Sequence, residues 1–152
     1  MAASDEAKAN RGGEVAVGDA VATSGGALPC GVVHAVAMGY RTDGSRILAT
    51  PSTVRTAFAR GLLAAAQAGH TTVVTKVMCA RQGYSTVQPP SDAPRVMLEA
   101  MLHATVDAQT CGLHQVVIYV PRSYALLRET TVRIQLPHGD TDVSRILANK
   151  ND

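Results

Sequence analysis

The chain has 152 residues, which is enough for one domain with a single core and too few for two. Apolar residues make up 46% and charged residues 17%, so the chain is expected to fold rather than to stay disordered. The formal net charge is only +2, and this excludes the strongly basic surface that nucleic acids or acidic membranes attract. No apolar run approaches the length of a membrane-spanning helix, so we expect no membrane partner.

The three cysteines form no CxxC pair and no even disulfide pattern. This usage indicates a reducing intracellular compartment, the cytoplasm or the nucleus. We expect a polar N-terminal tail over residues 1–13, a single domain over 14–136 and a polar C-terminal tail over 137–152. The N-terminal residues lack the apolar segment of a secretory signal. The histidines show no metal-ligand spacing, so neither a metal site nor a cofactor is predicted.

The first half of the chain predicts strands followed by a helix. Short apolar runs at residues 15–17 and 20–22 suggest small strands, and residues 31–38 are apolar on both faces, as in a strand buried within a sheet. A helix is then predicted to begin at Thr50, a good N-cap, with Pro51 in its first turn. Its end is expected at Gly69.

The second half predicts two more strands around a second helix. Residues 71–78 form a strand that leads into the stretch "MCARQGYSTVQPP", and Ser91 or Asp92 then caps a helix that Gly112 ends. Residues 114–120 form a third buried strand, and a short helix is expected from Ser123. The run "TTVRIQL" at residues 130–136 fits either a strand or an extension of that helix.

Strands that alternate with helices indicate an α/β fold, a three-layer α/β/α sandwich around a mainly parallel or mixed sheet. Ligands of such sheets bind at the carboxyl ends of the strands. The loops at residues 38–50, 79–91 and 121–123 all lie at that edge. A site is therefore expected there.

One stretch, "GDAVATSGGALPCGVVHAVAMGY", resembles the macro domain family, whose members bind ADP-ribose. The residues that carry this resemblance are Gly18, Thr23, Leu28, Pro29, Val33, His34, Ala35 and Val36. A helix that ends before a strand, a glycine loop and a helix containing "RVMLEAM" are similar as well, as is the strand "HQVVIYV". The resemblance covers about residues 14–130. It implies a macro-like fold and a binding module for ADP-ribose or a related nucleotide diphosphate.

The resemblance also implies which residues bind the ligand. In this sequence they are Arg81, Gln82, Gly83, Tyr84, Ser85, Thr86, Ala35, Val36, Pro121 and Ser123. The glycine loop is expected to hold the diphosphate through backbone and hydroxyl donors. Tyr84 is expected to cover a ribose. The partners implied are ADP-ribose itself or an ADP-ribosylated protein.

Two departures from the family pattern weaken this expectation. The family's first strands and first loop, which carry residues for the adenine and the distal ribose, have no counterpart in the chain. In the glycine loop, Ser85 or Thr86 stands where the family has a second glycine, and a side chain there hinders close approach of a pyrophosphate. We therefore expect weakened binding and assign no catalytic residue. Hydrolysis of ADP-ribose attached to proteins ranks third among the functions.

Several alternatives remain open at the level of sequence. The Gly83 loop is equally well explained as an ordinary strand-to-helix connection that needs a positive φ. Arg81 is more simply a solvated charge, Cys79 an inert thiol, and His34 a core histidine whose ring nitrogens bond to backbone. The alternative function is a degenerate structural or interaction module without a ligand. Its open sheet edge would be covered by a protein partner or by self-association.

Overall fold

The computed structural model describes residues 15–108, 112–121 and 130–136, together with Asp5 and Ala9. These residues form a mixed α/β fold with two helices and three small sheets, which confirms the predicted fold class at this level. The strands are β1 (Ala20–Thr23), β2 (Val32–Ala35), β3 (Gly39–Tyr40), β4 (Arg46–Ile47), β5 (Thr72–Lys76), β6 (Gln115–Val120) and β7 (Thr130–Gln135). The helices are α1 (Pro51–Gln67) and α2 (Ala93–Asp107), the latter preceded by a 3₁₀ turn at Pro90–Asp92.

The largest sheet has the order β5-β6-β7. Strands β5 and β6 are parallel, with Thr72 opposite Gln115, and β7 is antiparallel to β6. The run at 130–136 is therefore a strand, which settles the choice that its sequence left open. It is rich in β-branched residues, and the neighbouring edge of β6 offers it a full row of backbone partners.

Strand β2 lies outside this sheet. It pairs in antiparallel fashion with β1, Ala20 opposite Ala35, and forms a separate hairpin. The prediction that residues 31–38 form a strand buried on both faces was wrong, because β2 covers only four residues and all are partly exposed. A second hairpin, formed by the two-residue strands β3 and β4, lies within residues 38–50, which had been expected to form a loop.

Helix α1 begins where the sequence predicted. The Thr50 hydroxyl accepts the N–H of Thr53 at 3.0 Å, and the Thr53 hydroxyl accepts the N–H of Thr50 at 2.9 Å, which together make a capping box. Pro51 occupies the first turn, where its missing N–H costs no hydrogen bond. The chain leaves the helix through Gly69, whose φ of +85° is unfavourable for other residues.

Helix α2 departs from its prediction at both ends. Asp92 occupies the N-cap position, but its side chain makes no capping hydrogen bond, because the 3₁₀ turn leads directly into the helix. The helix ends at Asp107, before the predicted stop at Gly112. The Asp107 carboxylate forms a two-pronged ion pair with Arg55 of α1, at 2.7 and 2.8 Å, and this pair lowers the pKa of Asp107.

The two helices and the strands share one hydrophobic core. It is built on aliphatic and methionine side chains, as the low aromatic content requires: among its fully buried members are Val54, Leu62, Met97, Met101, Val116 and Ile118. The opposite face of β5 is uncovered by described residues, since Val74 is 73% exposed. Among the described residues, the helices therefore lie on one side only.

Replacing Leu62 with Ala should lower the free energy of unfolding by ~2–5 kcal/mol, because Leu62 is fully buried and its removal leaves a cavity. The adjacent Leu63→Ala is the matched control, since Leu63 is 43% exposed on the same helix. It should cost less than about 1 kcal/mol. Urea denaturation followed by circular dichroism measures both, and equal losses would contradict the position of this core.

Candidate functional site

The glycine loop, defined as residues 79–86, follows β5 at the carboxyl end of that strand. Pro121 follows β6 at the same edge, because the two strands are parallel and Lys76 lies opposite Tyr119. The N–H of Val77 continues the ladder by donating to the carbonyl of Tyr119 at 3.2 Å. The structure thus brings Pro121 and the start of the glycine loop to one edge of the sheet. Ser123 lies outside the described residues.

Two backbone hydrogen bonds attach the glycine loop to the residue just before α1. The N–H of Ala49 donates to the carbonyl of Tyr84 at 3.0 Å, and the N–H of Thr86 donates to the carbonyl of Ala49 at 2.9 Å. Ser85 thereby forms a parallel bridge with Ala49, which is fully buried. The loop is held in place by the main chain and needs no ligand to define its position.

The segment after β2 reaches the same end of α1. The Thr53 hydroxyl lies 3.0 Å from the carbonyl oxygen of Ala37 and can donate to it. Val36 is fixed by hydrogen bonds to Gly18 and Asp19, which continue the β1–β2 hairpin. The predicted ligand-binding residues Ala35 and Val36 therefore lie near the start of α1, to which the glycine loop is also attached, and no backbone hydrogen bond among the described residues joins them to that loop.

Gly83 adopts a backbone conformation that other residues avoid. Its φ is +80°, and the N–H of Tyr84 donates to the carbonyl of Arg81 at 3.1 Å, which closes a turn with Gly83 at its third position. A turn of this kind requires a positive φ there. A Cβ atom at Gly83 would meet nothing within 4 Å, so the space beside this residue is open. The conformation is required by the turn, and the open side leaves room for a ligand.

The backbone donors of the loop divide into two groups. Those of Tyr84 and Thr86 are used within the protein, at the carbonyls of Arg81 and Ala49. The N–H groups of Gly83 and Ser85 have no acceptor among the described residues. Two unused donors that flank one residue, at the carboxyl edge of a sheet, suit a phosphate oxygen.

Arg81 and Tyr84 contact each other across the turn. The Arg81 guanidinium carbon lies 5.9 Å from the centroid of the Tyr84 ring, within the range of a cation–π interaction. Both side chains are exposed. The guanidinium makes no ion pair with a described carboxylate, so its charge is available to an anion at the loop.

Cys79 and His34 have environments that bear on their suggested roles. Burial raises the pKa of the Cys79 thiol, which disfavours the reactive thiolate. The expectation that His34 has its ring nitrogens satisfied by backbone was wrong, because its buried Nε2 has no hydrogen-bond partner among the described residues. Its position on the short β1–β2 hairpin places no donor or acceptor near this atom.

Sequence reasoning did not locate an opening that lies between two of the strands. A cavity of about 250 Å³ lies between β2 and β5, over α1; we call it the strand slot. Its walls include Gly31, Val33 and Ala35 on one side and Thr72 to Thr75 on the other, with Phe58, Gly61 and Ala65 beneath. The sequence signal for it is Gly61, which faces β2 from within α1, since a Cβ there would lie 3.5 Å from Val33.

Comparison with models of known protein families finds no match, and a search of curated proteins finds no relative. The described residues contain no cluster of three or more histidine, cysteine or acidic side chains that could hold a metal ion. In the same part of the chain, no helix has the length and apolar character needed to cross a membrane.

At neutral pH, iodoacetamide should modify Cys30 before Cys79, because Cys30 is exposed whereas burial raises the pKa of the Cys79 thiol. Peptide mass mapping after a timed reaction separates the two sites. In denaturant both should react at similar rates. Faster labelling of Cys79 in the native protein would contradict the inert environment described for it.

Proposed function

We propose that this chain is a binding module of the macro domain type for ADP-ribose or a related nucleotide diphosphate. The observation that carries the proposal is the glycine loop, where Gly83 leaves open space and the N–H groups of Gly83 and Ser85 have no acceptor among the described residues. Main-chain donors fixed in position bind phosphate oxygens without further ordering of the chain. Arg81 adds a positive charge at the same loop.

The proposal extends to the fold. A macro-like three-layer sandwich has a single sheet, and the β1–β2 hairpin and the β5-β6-β7 sheet would be its two parts. The proposal is supported by the direction of strands β2 and β5. Gly31, one residue before β2, is packed against His70, two residues before β5. The segments that follow the two strands reach the start of α1, through Ala37 and through Ser85. Strands β2 and β5 therefore run parallel, as the halves of one sheet would.

In this module the diphosphate contacts the amides of Gly83 and Ser85, and Tyr84 lies against a ribose. Pro121 borders the adenosine half, and Ala35 and Val36 border the site from the β2 side. Ser85 or Thr86 carries a side chain where the family pattern has a second glycine, and this is the physical reason to expect weaker binding. We propose no catalytic residue. Hydrolysis of ADP-ribosylated protein remains the third candidate function.

We also propose a reducing compartment for the protein, which the free thiols of Cys30 and Cys79 fit.

A second candidate function is favoured by a separate observation. Among the described residues no strand lies between the facing edges of β2 and β5, and a cavity separates them. Unpaired strand edges are a template for another chain. A structural or interaction module, covered by a protein partner and without a nucleotide, would use this opening.

Calorimetric titration with ADP-ribose, with AMP as the control ligand, tests the first proposal. ADP-ribose should bind in the micromolar range and AMP more weakly, because only ADP-ribose presents a diphosphate linked to a second ribose. Gly83→Ala should weaken ADP-ribose binding roughly tenfold, since the strain of about 1–2 kcal/mol at positive φ moves the loop amides.

Gly44→Ala is the matched control. Gly44 also has a positive φ, of +82°, with nothing within 4 Å of a Cβ, but it lies in the β3–β4 turn. Both variants bear the same backbone strain, and only Gly83→Ala should lose affinity. Absence of heat with the folded wild-type protein, or equal losses in both variants, would refute binding at this loop.

A further inference from the structure

The strand slot is flanked by two strands that run in the same direction. Neither β2 nor β5 has a second neighbour among the described residues, because β2 pairs only with β1 and β5 only with β6. Helix α1 lies beneath both and contributes Phe58, Gly61 and Ala65 to the cavity. The arrangement is that of a sheet with a missing central strand.

The backbone groups that face the slot follow from the pairing on the other side of each strand. Val36 of the β2 side forms hydrogen bonds with Gly18 and Asp19 of the β1 side. In an antiparallel pair, the backbone groups of successive residues point alternately towards and away from the partner strand. The N–H and C=O groups of Val33 and Ala35 therefore point away from β1. On β5, the carbonyl of Thr71 and the N–H of Val77 bond to β6. The same alternation directs the backbone groups of Thr72, Val74 and Lys76 into the slot.

The two faces of the slot differ in character. Towards α1 the space is bordered by Val33, Ala35 and Val73, and the absence of a side chain at Gly61 deepens it. On the other face, Thr72 and Lys76 are exposed and Val74 is 73% exposed. An occupant would therefore place small or medium apolar side chains on alternate positions towards α1. Its intervening positions would be β-branched or polar.

We propose that the strand slot binds an extended segment of a separate polypeptide, which adds as a strand between β2 and β5 and joins the hairpin to the β5-β6-β7 sheet. This deepens the second candidate function and rests on it. The edges span four and five residues, so the paired segment has about four or five residues, or ~13–17 Å. Binding by strand addition derives affinity from main-chain hydrogen bonds and specificity from alternate side-chain pockets.

The hydrogen-bonding groups themselves identify the kind of occupant. A nucleotide or a lipid cannot satisfy two opposed rows of alternating N–H and C=O groups, whereas an extended peptide satisfies both. Residues 1–14 of the chain contain no β-branched and no aromatic residue, which makes them unsuited to a central strand. We commit to another polypeptide as the occupant, with residues 137–152 of this chain as the competing one. Its recognition signal is the alternation of small or medium apolar residues with β-branched or polar ones.

The test is selection of binders from a displayed library of random peptides by the full-length protein, followed by fluorescence anisotropy with the enriched peptides. Enriched sequences should alternate apolar residues with β-branched or polar ones. Val74→Pro should weaken their binding roughly tenfold, because it removes one N–H that faces the slot and leaves the bonds to β6 in place. Val74→Ala, which keeps the N–H and shortens an exposed side chain, should stay within about twofold.

The competing occupants give distinct outcomes. Amide hydrogen exchange on the free monomer should show rapid exchange at Val33, Ala35 and Val74. Protection of these amides in the monomer would mean that the chain's own residues, such as 137–152, fill the slot, and would overturn the proposal. Dimerisation of the protein that Val74→Pro abolishes would also overturn the proposal. A library selection that yields no peptide with the alternating pattern would overturn it as well. ADP-ribose titration of Val74→Pro separates the two functions, since loss of the slot leaves the glycine loop unchanged.

Discussion

The hydrogen bonds around the first turn of α1 are the constraint on which the rest of this structure depends. The side chains of Thr50 and Thr53 cap the helix, and the Thr53 hydroxyl also reaches the carbonyl of Ala37. Ala49, one residue earlier, accepts and donates the two backbone bonds that hold the glycine loop. The exit of β2, the start of α1 and the candidate binding loop thus meet within a few residues. Each is positioned by main-chain or threonine groups rather than by charge.

The contacts at the first turn of α1 explain how the β1–β2 hairpin and the β5-β6-β7 sheet can both be fixed in position without pairing with each other. Helix α1 packs on both, and its buried residues belong to the one core cluster that α2 and β6 complete. The hairpin of β1 and β2 therefore does not need β5 as a neighbour in order to be fixed. The consequence is the strand slot, an opening bordered by two ordered edges. Its opposite ends differ, because His70 lies beside Gly31 at one end and the glycine loop lies at the other.

Sequence patterns predicted those features that depend on local chemistry. The cap at Thr50, the stop at Gly69 and the positive φ at Gly83 each follow from what a single side chain, or its absence, permits. The patterns failed where pairing between distant segments decides the outcome. Residues 31–38 read as a buried strand because they are apolar, and yet β2 stays half-exposed since no described strand pairs with its second edge. Asp92 was predicted to cap α2, but its side chain makes no capping hydrogen bond because a 3₁₀ turn leads directly into the helix.

The candidate site, like the fold, was predicted from the sequence only in part. The position of the glycine loop at the carboxyl edge follows from the strand order, whereas its attachment to Ala49 could not be read from sequence. That attachment determines which amides are used and which remain for a ligand. An amide chemical-shift map of the ¹⁵N-labelled protein with ADP-ribose tests the account most directly. We predict that the largest shifts fall on Gly83 and Ser85, with Gly44 unmoved. Shifts centred on β2 and β5, or no shifts at saturating ligand, would contradict it.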